Sequence, residues 1–200
     1  NIFLNSINSG EPISGVIHFA GLKSVDESFE NPLQYWDVNV NGTVNLLKVM
    51  QKYGTHTIVF SSSATIYGNP SREFINENDD IKPVNPYGST KAVVEKILND
   101  LYESDKNKWK IASLRYFNAI GAHDSGLLGE DPHQIPNNLF PLLTLVANKK
   151  MRELNVFGNN WPTKDGTCIR DYIHVMDLAE AHFQTLIFLL SENGKIINLN

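Results

Sequence analysis

The chain has 200 residues, 42% of them hydrophobic and 20% charged, with a net charge of −5. That composition belongs to an ordinary globular chain, long enough for one domain with a substantial core or for one domain and part of a second. The acidic balance and the scattered lysines and arginines point away from nucleic acid and from anionic membrane surfaces.

Residues 1–15 carry no clean period; Leu4, Ile7 and Ile13 suggest the tail of a helix and a loop. Val16-Ile17-His18-Phe19-Ala20-Gly21 is a short apolar run ending in glycine, the mark of a buried parallel strand. Residues 24–31 are polar and read as a loop. From Leu33 the spacing turns helical, with Leu33, Trp36, Val40, Val44 and Leu47 on one face and Gly54 as the stop. Thr57 to Ser61 is the next strand and runs directly into Ser62-Ser63-Ala64-Thr65. Residues 69–86 read as a long surface loop, and a helix then runs from Tyr87 to about Glu103. Ile111 to Tyr116 is a third strand. Beyond it, 121–138 reads as an irregular loop, Leu139 to Lys149 as a helix, and Leu154 to Gly158 as a short strand. Cys168 to His174 reads as an edge strand, and Asp177 as the N-cap of a helix to about Leu190. Ile196 to Leu199 begins another strand.

Strand, helix, strand, helix, strand is the pattern of a parallel α/β sheet with right-handed crossovers. Ligands bind such sheets at the carboxyl ends of the strands. That rule places 21–23, 62–65 and 117–118 along one rim, beside the start of the helix that carries Tyr87 and Lys91. These two lie four residues apart, hence on one helix face. A free tyrosine titrates near 10 and is a poor base at neutral pH, and a neighbouring ammonium favours its phenolate. The pair can therefore carry a proton to or from a hydroxyl. A packed tyrosine beside a solvated lysine is the plainer reading of the same spacing. The six histidines, at 18, 56, 123, 133, 174 and 182, show no zinc spacing, so no metal is expected. No apolar run approaches the roughly 18 residues of a membrane helix. The start carries no signal-peptide pattern, and the single Cys168 excludes an internal disulfide and suits a reducing cytoplasm.

Ser61-Ser62-Ser63-Ala64-Thr65 followed by Tyr87-x-x-x-Lys91 resembles the extended short-chain dehydrogenase/reductase superfamily. The segments 18–23, Tyr116-Phe117-Asn118, Gly129-Glu130-Asp131-Pro132, Ile135-Pro136-Asn137-Asn138-Leu139 and 170–179 narrow the resemblance to the UDP-glucose 4-epimerase (UDP-galactose 4-epimerase) family, from about residue 16 to the end. The resemblance implies an NAD(P)-binding Rossmann-like doubly wound sheet lacking its N-terminal strands, over 1–120. It implies a smaller, truncated UDP-sugar domain over most of 121–200, with some segments returning to the Rossmann sheet. It also implies an isomerase of galactose metabolism, cytoplasmic and homodimeric, that interconverts UDP-glucose and UDP-galactose by transient oxidation at sugar C4 with tightly held NAD. Tyr87 would be the base. Lys91 would lower its pKa and bond the nicotinamide ribose, and Ser63 would bond the reacting oxygen. Phe19, Ala20, Gly21, Leu22, Lys23, Asn39 (with Val38 as the neighbouring choice) and Phe117 would line the cofactor site. Thr65, Asn118, Asn138, Leu139, Phe157 and Arg170 would join Ser63 and Tyr87 in holding UDP-sugar, Arg170 as the diphosphate partner.

Each has a plainer rival: a strand terminus at 61–63, a surface ion pair at Arg170–Asp171, core packing for Phe157, helix capping at Asn137–Asn138. Cys168, His123 and His133 read as structural or exposed. The family's Gly-x-x-Gly-x-x-Gly turn, which cradles the pyrophosphate, is absent from these residues. The expectation is that the 200 residues alone bind NAD poorly, do not turn over, and leave an unpaired sheet edge. Two other functions stay open. One is a related enzyme, a dTDP-glucose 4,6-dehydratase or a UDP-glucuronate epimerase; Thr65 lacks the Asp-Glu pair of the dehydratases. The other is a non-catalytic sugar-nucleotide or protein-binding module, against which stands the intact set Ser63, Tyr87 and Lys91.

Overall fold

The computed structural model describes residues 2–70, 74–130, 136 and 138–200. Its helices and strands follow in the order α1 (Ile2–Asn8), β1 (Val16–His18), α2 (Val25–Glu30), α3 (Pro32–Tyr35), a π turn (Trp36–Asn41), α4 (Gly42–Lys52) and β2 (Thr57–Ser61). A 3-10 turn (Ala64–Tyr67), α5 (Pro86–Ser104), β3 (Lys110–Leu114), β4 (Asn118–Ile120) and α6 (Leu139–Ala147) come next. The chain closes with β5 (Tyr172–His174), α7 (Val175–Ser191) and β6 (Lys195–Leu199).

β1, β2, β3 and β6 form one wholly parallel sheet in that order. β2 is buried along its whole length, as its unbroken apolar run requires of a strand covered on both faces. Successive residues point to opposite faces. Ile58, Phe60 and Ile111 therefore pack with Leu47 and Met50 of α4, Val94 and Leu98 of α5, and Trp109. Val59, Ala112 and Leu114 pack on the other face with Leu186 and Leu189 of α7. Helices on both faces of a parallel sheet make this a doubly wound, Rossmann-like fold. The chain divides into two compact units, 1–116 with 180–200, and 117–179. Within the second, β4 and β5 pair in parallel, and Asn118 Nδ2 donates to the Asp171 carbonyl at 2.8 Å.

Four local expectations are corrected. The polar stretch 24–31 contains helix α2: Ser24 Oγ accepts from the Glu27 N–H, and Asp26 and Glu27 lie in the first turn, where acids complement the helix dipole. The expected apolar face of the next helix is buried only in part: Leu47 is in the core and Val40 packs against it, but the first turns are not. Leu33 is 82% exposed and Trp36 is exposed too, while Tyr35, Asn39, Thr43, Leu47 and Met50 point inward. The π turn widens the helix there, and polar groups occupy its inner face because they bond to the site described below. Leu154 to Gly158 forms no strand; the run lies at the surface with Val156 and Phe157 exposed, and it has no partner to complete a ladder among the described residues. Asp177 lies inside the first turn of α7 and is not its cap. His174 Nδ1 accepts from the Met176 N–H at 3.2 Å instead.

Gly68 ends the 3-10 turn with φ +64°, and a Cβ there would stand 2.0 Å from the Lys82 carbonyl oxygen. Gly68→Ala combines a left-handed backbone with a backbone clash, and is expected to cost about 3 kcal/mol or more. Chemical denaturation of the two proteins checks this.

Candidate active site

The site grows from the carboxyl end of β2 and the first turns of α5. Asn85 caps α5, its Oδ1 accepting from the Gly88 N–H at 2.7 Å, and Pro86 occupies the first turn, where its missing N–H costs nothing. Gly88 lets the helix approach closely, since a Cβ would lie 2.8 Å from the Thr65 carbonyl. Tyr87 and Lys91 thus open a helix pressed against the 3-10 turn.

Both are buried. Lys91 Nζ donates to the Ser61 carbonyl at 2.8 Å and lies 4.8 Å from the centre of the Phe60 ring and 5.8 Å from that of Tyr87. Burial pushes Lys91 down to about 8, with Glu95 pulling the other way. Burial pushes the Tyr87 phenol up to about 12, while a hydrogen bond with Ser63 works to lower it. In the cofactor-free fold burial sets the direction, so the phenol keeps its proton at neutral pH. Ser63 Oγ accepts from the Thr65 hydroxyl at 2.9 Å and from the Thr65 N–H at 3.2 Å. Having accepted twice, it has its own proton to give.

A second network joins the loop after β1 to α5. Asn39 Oδ1 accepts from the Leu22 N–H at 2.7 Å, and its Nδ2 donates to the Leu22 carbonyl at 3.0 Å and to Thr90 Oγ1 at 3.1 Å. Thr90 Oγ1 donates to the Tyr87 carbonyl at 2.7 Å. Asn39 spends both amide protons inside the protein, so it fixes the backbone at Leu22 relative to the turn that carries Tyr87. Thr43 spends its proton on the Asn39 carbonyl, so His18 Nε2–H is the donor in the 2.8 Å bond to Thr43 Oγ1.

Burial, then the charge of Lys91, lowers His18 to about 4. Between pH 6.5 and about 4 the unfolded chain therefore binds a proton at this position that the folded chain refuses, and stability falls as pH falls through that window. His18→Asn is expected to flatten the acid limb there, as read by urea denaturation at a series of pH values.

The structure brings together Ser63, Thr65, Tyr87, Lys91, Asn39, Gly21 and Leu22 in the first unit. Phe19 is exposed and stacks 4.5 Å from His182; Ala20 and Lys23 are exposed. Val38, the alternative to Asn39, faces outward. The second unit holds Phe117, Asn118, Asn138, Leu139, Phe157 and Arg170. Of these only Asn118 is partly buried, and Phe157 is 97% exposed, which removes the core reading for it. Arg170 donates to the Ile169 carbonyl. Asn138 stands at the N-cap of α6 without a side-chain capping bond and reaches Glu130 at 3.4 Å. Asp131, Pro132, His133, Ile135 and Asn137 lie outside the described residues. Among the described residues no His, Cys, Asp and Glu cluster could hold a metal. No described helix is long and apolar enough to cross a membrane.

A doubly wound parallel sheet with Ser63, Tyr87 and Lys91 buried at its strand ends is a fold of the short-chain dehydrogenase/reductase type. Residues 4–199 match the model of the NAD dependent epimerase/dehydratase family, and the chain belongs to that family. It is 52% identical over 191 residues to the UDP-glucose 4-epimerase of Bacillus subtilis (strain 168), covering 96% of this chain and 56% of that protein. It is 51% identical to a bifunctional UDP-glucose 4-epimerase and UDP-xylose 4-epimerase of Pisum sativum, over 95% of this chain and 54% of the relative. The chain spans about half the length of these relatives. Its fold superposes with a TM-score of 0.91, at 47% identity, on a UDP-glucose-4-epimerase from Stenotrophomonas maltophila solved with NAD and formylated UDP-arabinopyranose; the match covers 98% of this chain and 58% of that one. The UDP-glucose 4-epimerase from Bifidobacterium longum, in complex with NAD+ and UDP, gives 0.89 at 44% identity, over 98% of this chain and 58% of that one.

Proposed function

We propose that the chain is part of an NAD-dependent UDP-glucose 4-epimerase that interconverts UDP-glucose and UDP-galactose, in galactose metabolism. The observation that carries this is the buried set of Ser63, Tyr87 and Lys91 at the end of β2, in a chain about half identical to epimerases of that name.

The donor set fits the cofactor. Lys91 gives one hydrogen bond to the Ser61 carbonyl, which leaves two N–H donors for ribose hydroxyls. When bound, NAD would supply the hydride acceptor and donor at sugar C4 and a positive ring that favours the phenolate. As its phenolate, which Lys91 and the charge of the bound cofactor would favour, Tyr87 takes the proton of the sugar 4-hydroxyl as the oxygen becomes a carbonyl, and returns it when the carbonyl is reduced from the other face. Lys91 offsets the charge left on the phenolate. Ser63 donates to the reacting oxygen, a bond that strengthens as negative charge develops there. Leu22, held by Asn39, and the exposed Phe19, Ala20, Gly21 and Lys23 shape the cofactor side, with Phe117 assigned near the nicotinamide. Thr65 with Asn118, Asn138, Leu139, Phe157 and Arg170 is assigned to UDP-sugar. Ile66 and Tyr67 follow Thr65 and are buried, so no carboxylic acid stands there to drive an elimination.

The exposed, free Cys168 supports a cytoplasmic setting. The homodimer of the whole protein rests on the resemblance to the family alone. The activity belongs to the whole protein; the 200 residues alone, which include no glycine-rich turn, are expected to bind NAD weakly. The test is to denature the purified full-length gene product and quantify released NAD, while assaying UDP-glucose formed from UDP-galactose. Near-stoichiometric NAD with conversion is the expected result. A cofactor-free protein with no conversion would sink the proposal.

A further inference from the structure

Glu95 and Arg115 are a pair of opposite charges that the chemistry above leaves unused. Their side chains are 7% and 3% exposed. Arg115 grips Glu95 with Nε at 3.1 and 3.2 Å and with Nη2 at 2.7 Å, and its Nη1 donates to the Tyr67 hydroxyl at 2.8 Å and to the Glu77 carbonyl at 3.0 Å. Buried pairs of this kind are seldom a source of net stability, since apolar replacements of both partners often do as well. What the pair holds is therefore the question.

Ser62 Oγ donates to Glu95 Oε1 at 2.5 Å. Tyr87, Lys91 and Glu95 follow one another at intervals of four on α5, one per turn of the same face. They meet three consecutive residues of the strand end. Lys91 bonds the Ser61 carbonyl and Glu95 bonds the Ser62 hydroxyl, while Ser63 works to lower the pKa of the Tyr87 phenol. The backbone at this end is also anchored, by Ser62 N–H to the Leu114 carbonyl and Ala64 N–H to the Tyr116 carbonyl. Glu95 is thus a second clamp on this strand end, one turn beyond the Lys91 of the candidate active site.

We propose that Glu95, held by Arg115, is a positioning residue for that site: it fixes Ser62, and with it Ser63, and it sets its carboxylate one turn from the Lys91 ammonium. This rests on the epimerase reading for its consequence in turnover. The titratable groups facing Lys91 and Glu95 are His18 from β1, Tyr87 on α5, Tyr67 from the 3-10 turn, and Arg115 and Tyr116 after β3. Tyr67 and Tyr87 are raised above their usual value and His18 is lowered, so all three are uncharged near neutral pH. Glu95 is the group that opposes the effect of burial on Lys91.

The test uses the full-length gene product carrying E95Q together with R115M, a combination that keeps an acceptor for Ser62 and leaves no buried cation unpaired. If Lys91 falls by about one pH unit from about 8, its charged fraction at pH 7.5 drops about threefold. The expected result is a kcat about threefold lower at pH 7.5, KM for UDP-galactose unchanged, and an alkaline limb of kcat moved down by about one pH unit. A pair with a merely structural role would lower the melting temperature and leave that limb in place, which would overturn the proposal. Should the double variant not fold, Ser62→Ala removes the clamp without changing charge. A lower kcat with an unmoved pH limb supports the positioning role, and an unchanged kcat overturns it. Titration of 15N-labelled lysine by NMR reads the Lys91 shift without substrate. A wild-type protein that does not convert UDP-galactose would thus fail the epimerase reading while still deciding whether Glu95 acts on Lys91.

Discussion

Replacing Tyr87 with phenylalanine in the full-length protein is expected to lower kcat by about 1,000-fold or more while leaving the fold and the NAD content intact. The ring is buried, so its packing against the turn at 63–67 survives in phenylalanine. What disappears is the only group at this position able to take the proton of the sugar hydroxyl. Ser63 cannot replace it, because a serine hydroxyl is a far weaker acid than a phenol and has no base beside it. Lys91 cannot, because with a pKa of about 8 it is mostly an ammonium at neutral pH and has no lone pair to accept the proton. The phenol is neutral in the fold near pH 7, so the variant removes one uncharged hydroxyl from a ring that still packs, and little change in stability is expected. Steady-state kinetics with UDP-galactose, paired with a thermal melt, checks both parts. Near-wild-type turnover would remove Tyr87 from the role of base.

Arg115→Met is expected to have the largest effect on stability, a loss of about 3–5 kcal/mol. The carboxylate of Glu95 is 7% exposed and receives three hydrogen bonds from this guanidinium. Without it a buried negative charge keeps only the Ser62 hydroxyl as a close partner, and the Tyr67 hydroxyl and Glu77 carbonyl lose a donor. Adding E95Q removes the orphaned charge and is expected to return most of the loss. Denaturant melts of the single and double variants measure the difference. If the single variant were as stable as the wild type, the pair would be solvated in solution and the clamp described above would lose its basis.

Much of this site could be read from residues alone, and the parts that could not have physical reasons. The Tyr87–Lys91 pair, the strand at 57–61 and the parallel sheet followed from spacing and apolar runs, because a parallel strand buried on both faces writes itself as an uninterrupted hydrophobic stretch. Glu95 extends the same four-residue series, but a carboxylate on a helix is rarely buried unless paired, and its partner Arg115 stands on a strand end distant in sequence. The helix around Asn39 stands where its spacing puts it, but the inward face of its first turns differs, because periodicity assumes that the buried face is apolar and that the helix keeps its pitch. Here a π turn widens it, and the inward residues Asn39 and Thr43 are polar because they bond Leu22, Thr90 and His18. The α2 helix carried its own signal in Ser24-Val25-Asp26-Glu27, a capping box that the polar composition masked. The pKa of Tyr87 was beyond spacing altogether. Sequence places an ammonium four residues away, while the degree of burial, which decides the direction, comes from the whole fold.

The most direct measurement is to give the full-length protein UDP-galactose bearing deuterium at sugar C4 and follow the label by NMR and mass spectrometry. The account predicts UDP-glucose that retains deuterium at C4, because the hydride leaves and returns to the same carbon while only the hydroxyl proton passes through Tyr87. Loss of the label to water, or a 4-keto-6-deoxy product, would contradict it.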